Sequence, residues 1–308
     1  MGPPASIDSM TDTELQVRDH VEPQDAETVE AGTRVERVTV IRPSPRRPHL
    51  DVPELWHYRE LLGRFVWRDI KVRYKQTFLG VAWALLVPIF SAVVYVVVFG
   101  KFANFPAGNI AYPELVLSGL LVMQYFTSSL TGSSISLVTN MPLVTKVYFP
   151  RVLLPLAAAM VPAVDFVIGL FVLIPLMAYY GSGPDGVEVV LAPLFLGLAF
   201  VTALGAGFLL STFNVRYRDV PHMLPAFLPV LPLLSGVPYA VQEIPEKWQW
   251  ILAFNPMTAV ISGWRWAVLG AAAPNWGQVA VGVAVGFALF LCGLTIFRVS
   301  EPRFADTI

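Results

Sequence analysis

A single cysteine in 308 residues rules out a disulfide framework, and Cys292 sits in an apolar run with no second thiol to share a metal. The four histidines, His20, His49, His57 and His222, are too scattered to suggest a metal cluster. There is no GxxxxGK[ST] loop: Gly100-Lys101 has Tyr95 where the first glycine belongs and Phe102 after the lysine. A phosphate cradle for ATP is therefore not encoded. Neither paired carboxylates nor a Ser/His/Asp arrangement has motif support, so no enzymatic activity, metal or cofactor is expected of this chain. No internal repeat is evident, which argues against inverted-repeat secondary transporters. MGPPASIDSM is neither basic nor followed by an apolar stretch, so no secretory signal is expected. Charge is scarce too: 14% of residues carry it, against about a quarter in ordinary soluble proteins.

What fills the chain instead is apolar. Hydrophobic residues make up 55%, and the mean hydropathy is +0.61. No soluble class fits; the expected fold is an all-α integral membrane protein. Residues 1–54 are the exception, polar and acidic with six arginines. They cannot bury enough apolar surface to offset their ordering entropy and are expected to be a disordered cytoplasmic tail. Stretches near 20 apolar residues fall at 79–99, 114–138, 152–180, 189–213, 222–241 and 276–297. A further piece, 250–272, is interrupted by Asn255-Pro256, Ser262, Gly263 and Arg265. Irregular backbone at membrane depth needs protein or water around it, so a re-entrant or external pair of short helices is expected there.

Basic residues decide between six and seven crossings. Six spans place Arg59, Arg64, Arg68, Lys71, Arg73, Lys75, Lys146, Arg151, Arg216, Arg218, Arg298 and Arg303 on the cytoplasmic side, leaving only Lys101, Lys247 and Arg265 outside. A seventh crossing would move Arg298 and Arg303 outside. The expectation is six transmembrane helices within 79–298, both termini cytoplasmic and a short C-terminal tail, 299–308. The fifth span holds Pro221, Pro225, Pro229, Pro232 and Pro238, each interior one removing a helix hydrogen bond. The sixth carries Gly282 and Gly286 as GxxxG, a face smooth enough for close packing.

Before the first span, residues 55–78 read as an amphipathic interface helix. On a 3.6-residue wheel Arg64, Arg68, Lys71 and Lys75 fall in one narrow arc. Val66, Trp67, Ile70 and Tyr74 flank it on one side; Leu61, Phe65 and Val72 flank it on the other. Asp69 and Arg73 lie opposite as an i,i+4 pair. Two polar stripes exceed what a helix resting on lipid needs. The pattern alone leaves open a wedged helix with several partners or a plain positive-inside anchor.

Inside the apolar part, Asp165 is costly to bury and so a functional candidate. One acid is thin support for a proton relay, and a structural role, facing the bundle and bonded to polar neighbours, is expected. The connection TNMPLVTKVYFPR (139–151) sets Leu143, Val144, Val147, Tyr148 and Phe149 beside Lys146 and Arg151, with Pro142 and Pro150 bracketing about two turns. A short amphipathic helix facing lipid or a protein groove is expected there. FNVRYRDVPH (213–222) is a second short basic loop.

Five ordered segments carry a resemblance: LLGRFVWRDIKVRYKQTFLGVAWALLVP, NMPLVTKVYFPRVLLP, NVRYRDVPHMLP, SGVPY…IPEKWQWILAFNPMTAVISGWRWAVLG and FRVSEPRFADTI. Over residues 55–308 the chain resembles ABC-2-type polysaccharide export permeases, the Wzm/TagG-like group. The resemblance implies a homodimer of permeases with two copies of a separate ABC ATPase, which would hold the ATP and Mg, in the cytoplasmic membrane. The implied cargo is a glycan on a polyprenyl diphosphate, such as O-antigen, teichoic acid, capsule or galactan; nucleic acid has no part. It implies that 139–151 is the coupling helix gripped by the ATPase, through Leu143, Lys146, Tyr148, Phe149, Pro150 and Arg151. Arg64, Arg68, Lys71 and Lys75 would meet lipid or substrate phosphates, or acids of the ATPase. Trp248, Trp250, Trp264 and Trp266, in the implied external helices at 242–272, would either stack on sugar rings or form an ordinary interfacial belt. An ABC-2 exporter of a drug or lipid, a proton-coupled secondary transporter and a non-transporting membrane scaffold are the competing readings.

Overall fold

The computed structural model describes residues 56–75, 82–184 and 186–304. The expectations for the 1–54 tail, for the end of the interface helix at 76–78 and for residues 305–308 fall outside them. Every regular element among the described residues is helical, as apolar segments in lipid require when no water can satisfy the main chain.

Helix α1 (Arg59–Lys75) lies within the expected interface helix. Helix α2 (Ala82–Tyr95) runs on into a wider π turn, Val96–Phe102. Helix α3 (Tyr112–Thr139) starts on Pro113, whose missing N–H costs nothing at a helix N-terminus. After α4 (Met141–Lys146) come α5 (Leu153–Met160) and α6 (Pro162–Tyr180), one span interrupted where Pro162 lacks its hydrogen bond. A 3₁₀ turn, Val187–Leu191, leads into α7 (Ala192–Tyr217). Among the described residues five helical segments are long and apolar enough to cross a membrane: Ala82–Phe102, Tyr112–Thr139, Leu153–Tyr180, Val187–Tyr217 and Trp276–Ser300.

The expected span at 222–241 is not one helix. It divides into α8 (Val220–Phe227), a turn, and the single turn α9 (Leu231–Leu234), followed by irregular chain with Gly236 at φ 77°. Pro225, Pro229 and Pro232 each withhold an N–H, and a count of apolar residues alone cannot register that. Next, α10 (Glu246–Ala253) and α11 (Pro256–Leu269) form the expected pair of short helices. Asn255 separates them, its Oδ1 accepting the Met257 N–H at 3.0 Å as an N-cap ahead of Pro256. Helix α12 (Trp276–Ser300) closes the bundle.

Helix α3 is central, packing most extensively on α7 and also on α2, α5, α6 and α11. Helix α12 packs on α7 and α11. Its GxxxG face is used there: a Cβ on Gly282 would stand 2.7 Å from the Ala259 Cβ, and one on Gly286 would stand 2.8 Å from the Thr202 Oγ1.

Side-chain bonds identify the two ends of the bundle. Where α3 begins, the Tyr112 hydroxyl donates to the Pro238 carbonyl at 2.7 Å, and Asn109 bonds Gly270 O at 3.0 Å and Ala272 N at 3.1 Å. Where α3 finishes, Asn214 of α7 donates to Ser134 O at 3.3 Å, and Asn140 accepts from Arg68 of α1 at 2.8 Å. Residues 220–238 thus run in two helical pieces from the Asn140 end to the Tyr112 end. A separate apolar cluster sits at the Asn140 end, joining Phe65, Leu137, Val144, Phe149, Phe208, Phe297 and Phe304.

Candidate functional site

At the Asn140 end, α1 is laid against α5 by Phe65, which is buried and meets Phe149 edge-on with ring centroids 5.7 Å apart. That contact fixes which way the rest of α1 points. Arg64, Lys71 and Lys75 are exposed, and the Lys71 Nζ lies 5.2 Å from the Trp67 ring centroid. Arg68 is not free: it donates to Asp69 and to Asn140, both at 2.8 Å. The four-residue basic stripe is therefore three open cations and one internal tie. Of the two apolar arcs, Leu61 and Phe65 turn inward, whereas Trp67 and Val72 remain exposed.

The expected Asp69–Arg73 pair does not form. Asp69 pairs with Arg68, while Arg73 pairs with Asp165 of α6. Tyr74 donates its hydroxyl to the same carboxylate. Asp165 thus has the bonded, structural placement expected of it, though its partners come from α1. Burial first, then the hydrogen bond to Asp165 and that group's charge, raise the Tyr74 phenol above its ordinary value, keeping it a donor.

The 139–151 connection divides sharply. Its helix is α4 alone. Val144, Phe149 and Pro150 are buried and Leu143 is half-buried. Arg151 is engaged by the C-terminal segment: its main-chain N–H donates to Glu301 Oε1 at 3.0 Å, and its guanidinium to the Glu301 carbonyl. Arg298 holds the other Glu301 oxygen at 3.1 Å. What faces outward is Thr145, Lys146, Val147 and Tyr148, the last 69% exposed. Phe149, Pro150 and Arg151 therefore build the platform, and Lys146 and Tyr148 are what it presents.

The tryptophans separate in the same way. Trp248 and Trp250 on α10 are about half exposed. Trp264 is buried edge-on against Phe166 with centroids 5.3 Å apart, and Trp266 meets Trp276 edge-on at 5.1 Å. Trp264 offers no face to a ligand in this arrangement; it is core.

Two charged groups are buried at the Tyr112 end, Arg265, which the sequence marks only as an interruption and an outside charge, and Glu114. Arg265 is buried, its guanidinium donating to the carbonyls of Gly236 (2.8 Å), Tyr239 (3.2 Å), Leu115 (2.8 Å) and Val237 (2.7 Å). Its Nε has no partner among the described residues. Glu114 is fully buried and accepts from the Ser182 hydroxyl at 2.7 Å. The only signal in the sequence was the charge itself, an arginine within SGWRWAV and a glutamate opening an apolar run.

The ABC-2 type transporter family profile matches residues 60–269. Among curated relatives, the O-antigen export system permease protein RfbA of Klebsiella pneumoniae is 29% identical over 241 residues, covering 78% of this chain and 92% of the relative. RfbA of Myxococcus xanthus is 29% identical over 259 residues, covering 83% and 98%. The polysialic acid transport protein KpsM of Escherichia coli is 22% identical over 240 residues, covering 76% and 91%.

Proposed function

The chain belongs to the ABC-2 type transporter family and is a multi-pass permease of the cytoplasmic membrane; from that premise we propose that it is the membrane subunit of an ABC exporter for a polyprenyl-diphosphate-linked polysaccharide. A separate ATPase subunit drives it. The relatives named for O-antigen and polysialic acid transport support the glycan. One structural observation carries the ATPase assignment. Helix α1, α4 and the C-terminal segment share one apolar cluster, and from that shared base Lys146 and Tyr148 project outward.

A partner that pushes on residues 145–148 pushes on a unit that includes α1 and the end of α12. Asp165 then passes the displacement of α1 to the third span through Arg73 and Tyr74. The broken segment 220–240 is read as the fifth of six crossings, with both chain ends on the cytoplasmic side, because it links opposite ends of the bundle. Its proline breaks make it the span with the fewest main-chain bonds to lose when it bends. Arg64, Lys71 and Lys75 are the cations free to meet the diphosphate of the lipid carrier or anionic headgroups. The first span leaves Phe90 72% and Phe102 82% exposed, an apolar face for lipid or for the second permease of a homodimer.

Co-purification in mild detergent tests the docking assignment. Lys146→Glu combined with Tyr148→Ala should lower recovery of the ATPase at least tenfold while leaving helix content unchanged. Full recovery of the ATPase with this double variant would exclude 145–148 as its grip.

A further inference from the structure

At the Tyr112 end, between the 106–110 loop, the 240–243 turn and α11, lies a cavity of about 330 Å³. Asn109, Gln242, Glu243, Ser262 and Arg265 line it, with apolar walls that include Ile110 and Leu115. A second, smaller cavity of about 30 Å³ adjoins it, sharing Gln242 and Ser262. The larger volume falls at the small end of ligand sites, which begin at roughly 300 Å³.

The site is built rather than left over. Asn109 spends both ends of its amide on Gly270 O and Ala272 N, bracing one wall. Arg265 spends four N–H bonds on main-chain carbonyls, which holds the guanidinium still. The buried Arg265 Nε–H has no partner among the described residues, while the half-buried Ser262 hydroxyl, the exposed Glu243 carboxylate and the exposed Gln242 amide oxygen are left to whatever enters.

Charge selects the class of ligand. Arg265 attracts an anion that Glu243 repels, and the reverse holds for a cation, so the pair gives neither sign of charge a clear gain. A neutral molecule with many hydroxyls suits it, because each hydroxyl can donate to a carboxylate or amide oxygen and accept from a guanidinium N–H. Apolar walls then cover the C–H face of a ring. We propose that this cavity binds one neutral monosaccharide unit of the exported glycan, at the end of the bundle opposite the ATPase-docking surface. The proposal rests on the glycan-export reading for its cargo and on the cavity alone for its chemistry.

The test is saturation-transfer difference NMR on the purified chain in detergent. Free hexoses, 6-deoxyhexoses and N-acetylhexosamines at millimolar concentration serve as neutral probes, with glucuronate and inorganic phosphate as charged ones. At least one neutral sugar should bind saturably. Glu243→Ala and Ser262→Ala, both at positions with solvent access, should each weaken it about fivefold, the loss of one hydrogen bond. Circular dichroism checks that both variants remain folded. The proposal is overturned if no neutral sugar saturates, if both variants bind as the native chain does, or if phosphate or glucuronate displaces the sugar more strongly than other neutral sugars do. Because the ATPase is absent from the assay, a failed ATPase co-purification leaves the result standing. Conversely, absent sugar binding with intact co-purification sinks only the cavity assignment.

Discussion

At the end that gathers α1, α4 and the C-terminal segment, charged side chains stay near the surface and tie one element to another. Arg68 reaches Asn140, Arg73 reaches Asp165, and Arg151 and Arg298 share Glu301. At the opposite end Arg265 and Glu114 are enclosed, and neither has an opposite charge for a partner among the described residues. The difference is mechanical as well as electrostatic. Ion pairs at partly exposed positions are weak individually and re-form after a small shift. A guanidinium held by four carbonyls from two segments cannot shift without orphaning several of them. One end is joined by ties that can re-form after a shift; the other is a clasp that keeps the 236–239 turn on α3.

The largest effect should come from opening that clasp. Arg265→Met leaves the four carbonyls without their donor, and each buried acceptor left unsatisfied costs about 1–3 kcal/mol. Thermal unfolding in detergent should show a large drop. Arg265→Lys should recover only part of it, because an ammonium lacks the planar fork that meets all four acceptors. A native-like transition for Arg265→Met would remove the contrast between the ends.

A smaller effect is expected where α1 meets α6. Tyr74→Phe and Asp165→Asn should each cost about 1–2 kcal/mol, and a double-mutant cycle should show them coupled, since they share one bond. The pH dependence follows from the raised phenol. Its folded value lies above the unfolded value of about 10. The Tyr74 contribution is therefore fully present below pH about 10 and lost as the pH climbs through the folded value. Tyr74→Phe should flatten that alkaline loss; an unchanged alkaline profile would mean the hydroxyl does not stabilise the α1–α6 contact.

These contrasts mark what the sequence could tell. Long apolar runs predict helices because lipid leaves the main chain no alternative, and five spans follow that rule. Residues 222–241 satisfied the same apolar count, yet the spacing of Pro225, Pro229 and Pro232 leaves no uninterrupted helix. Asp69 and Arg73 have the right spacing for a helical pair, but Asp165, far away in sequence, competes for Arg73 and wins. Phe149 and Tyr148 are adjacent aromatics in one loop with opposite fates, decided by Phe65, which packs on only one of them. Trp264 and Trp248 diverge for the same reason, through Phe166. Local pattern specifies which residues are available; tertiary neighbours decide which are spent.

The smallest stability effect should fall on the open cations of α1, and that is what makes them informative. Arg64, Lys71 and Lys75 make no ion pair among the described residues, and the Lys71–Trp67 contact is exposed and worth about 0.5–1 kcal/mol. Replacing all three by alanine should therefore shift unfolding by no more than about 1 kcal/mol in total. Arg68→Ala, on the same stripe but tied to Asn140, should cost more than any one of them. Export should rank the other way, with the triple variant accumulating lipid-linked glycan inside the cell, read by extraction and gel separation. If Arg68→Ala and the triple variant lose stability equally, the stripe is a structural unit and its free cations are not held for a ligand. If stability holds and export falls, those three charges act on something outside the chain, as the proposed contact with phosphates requires.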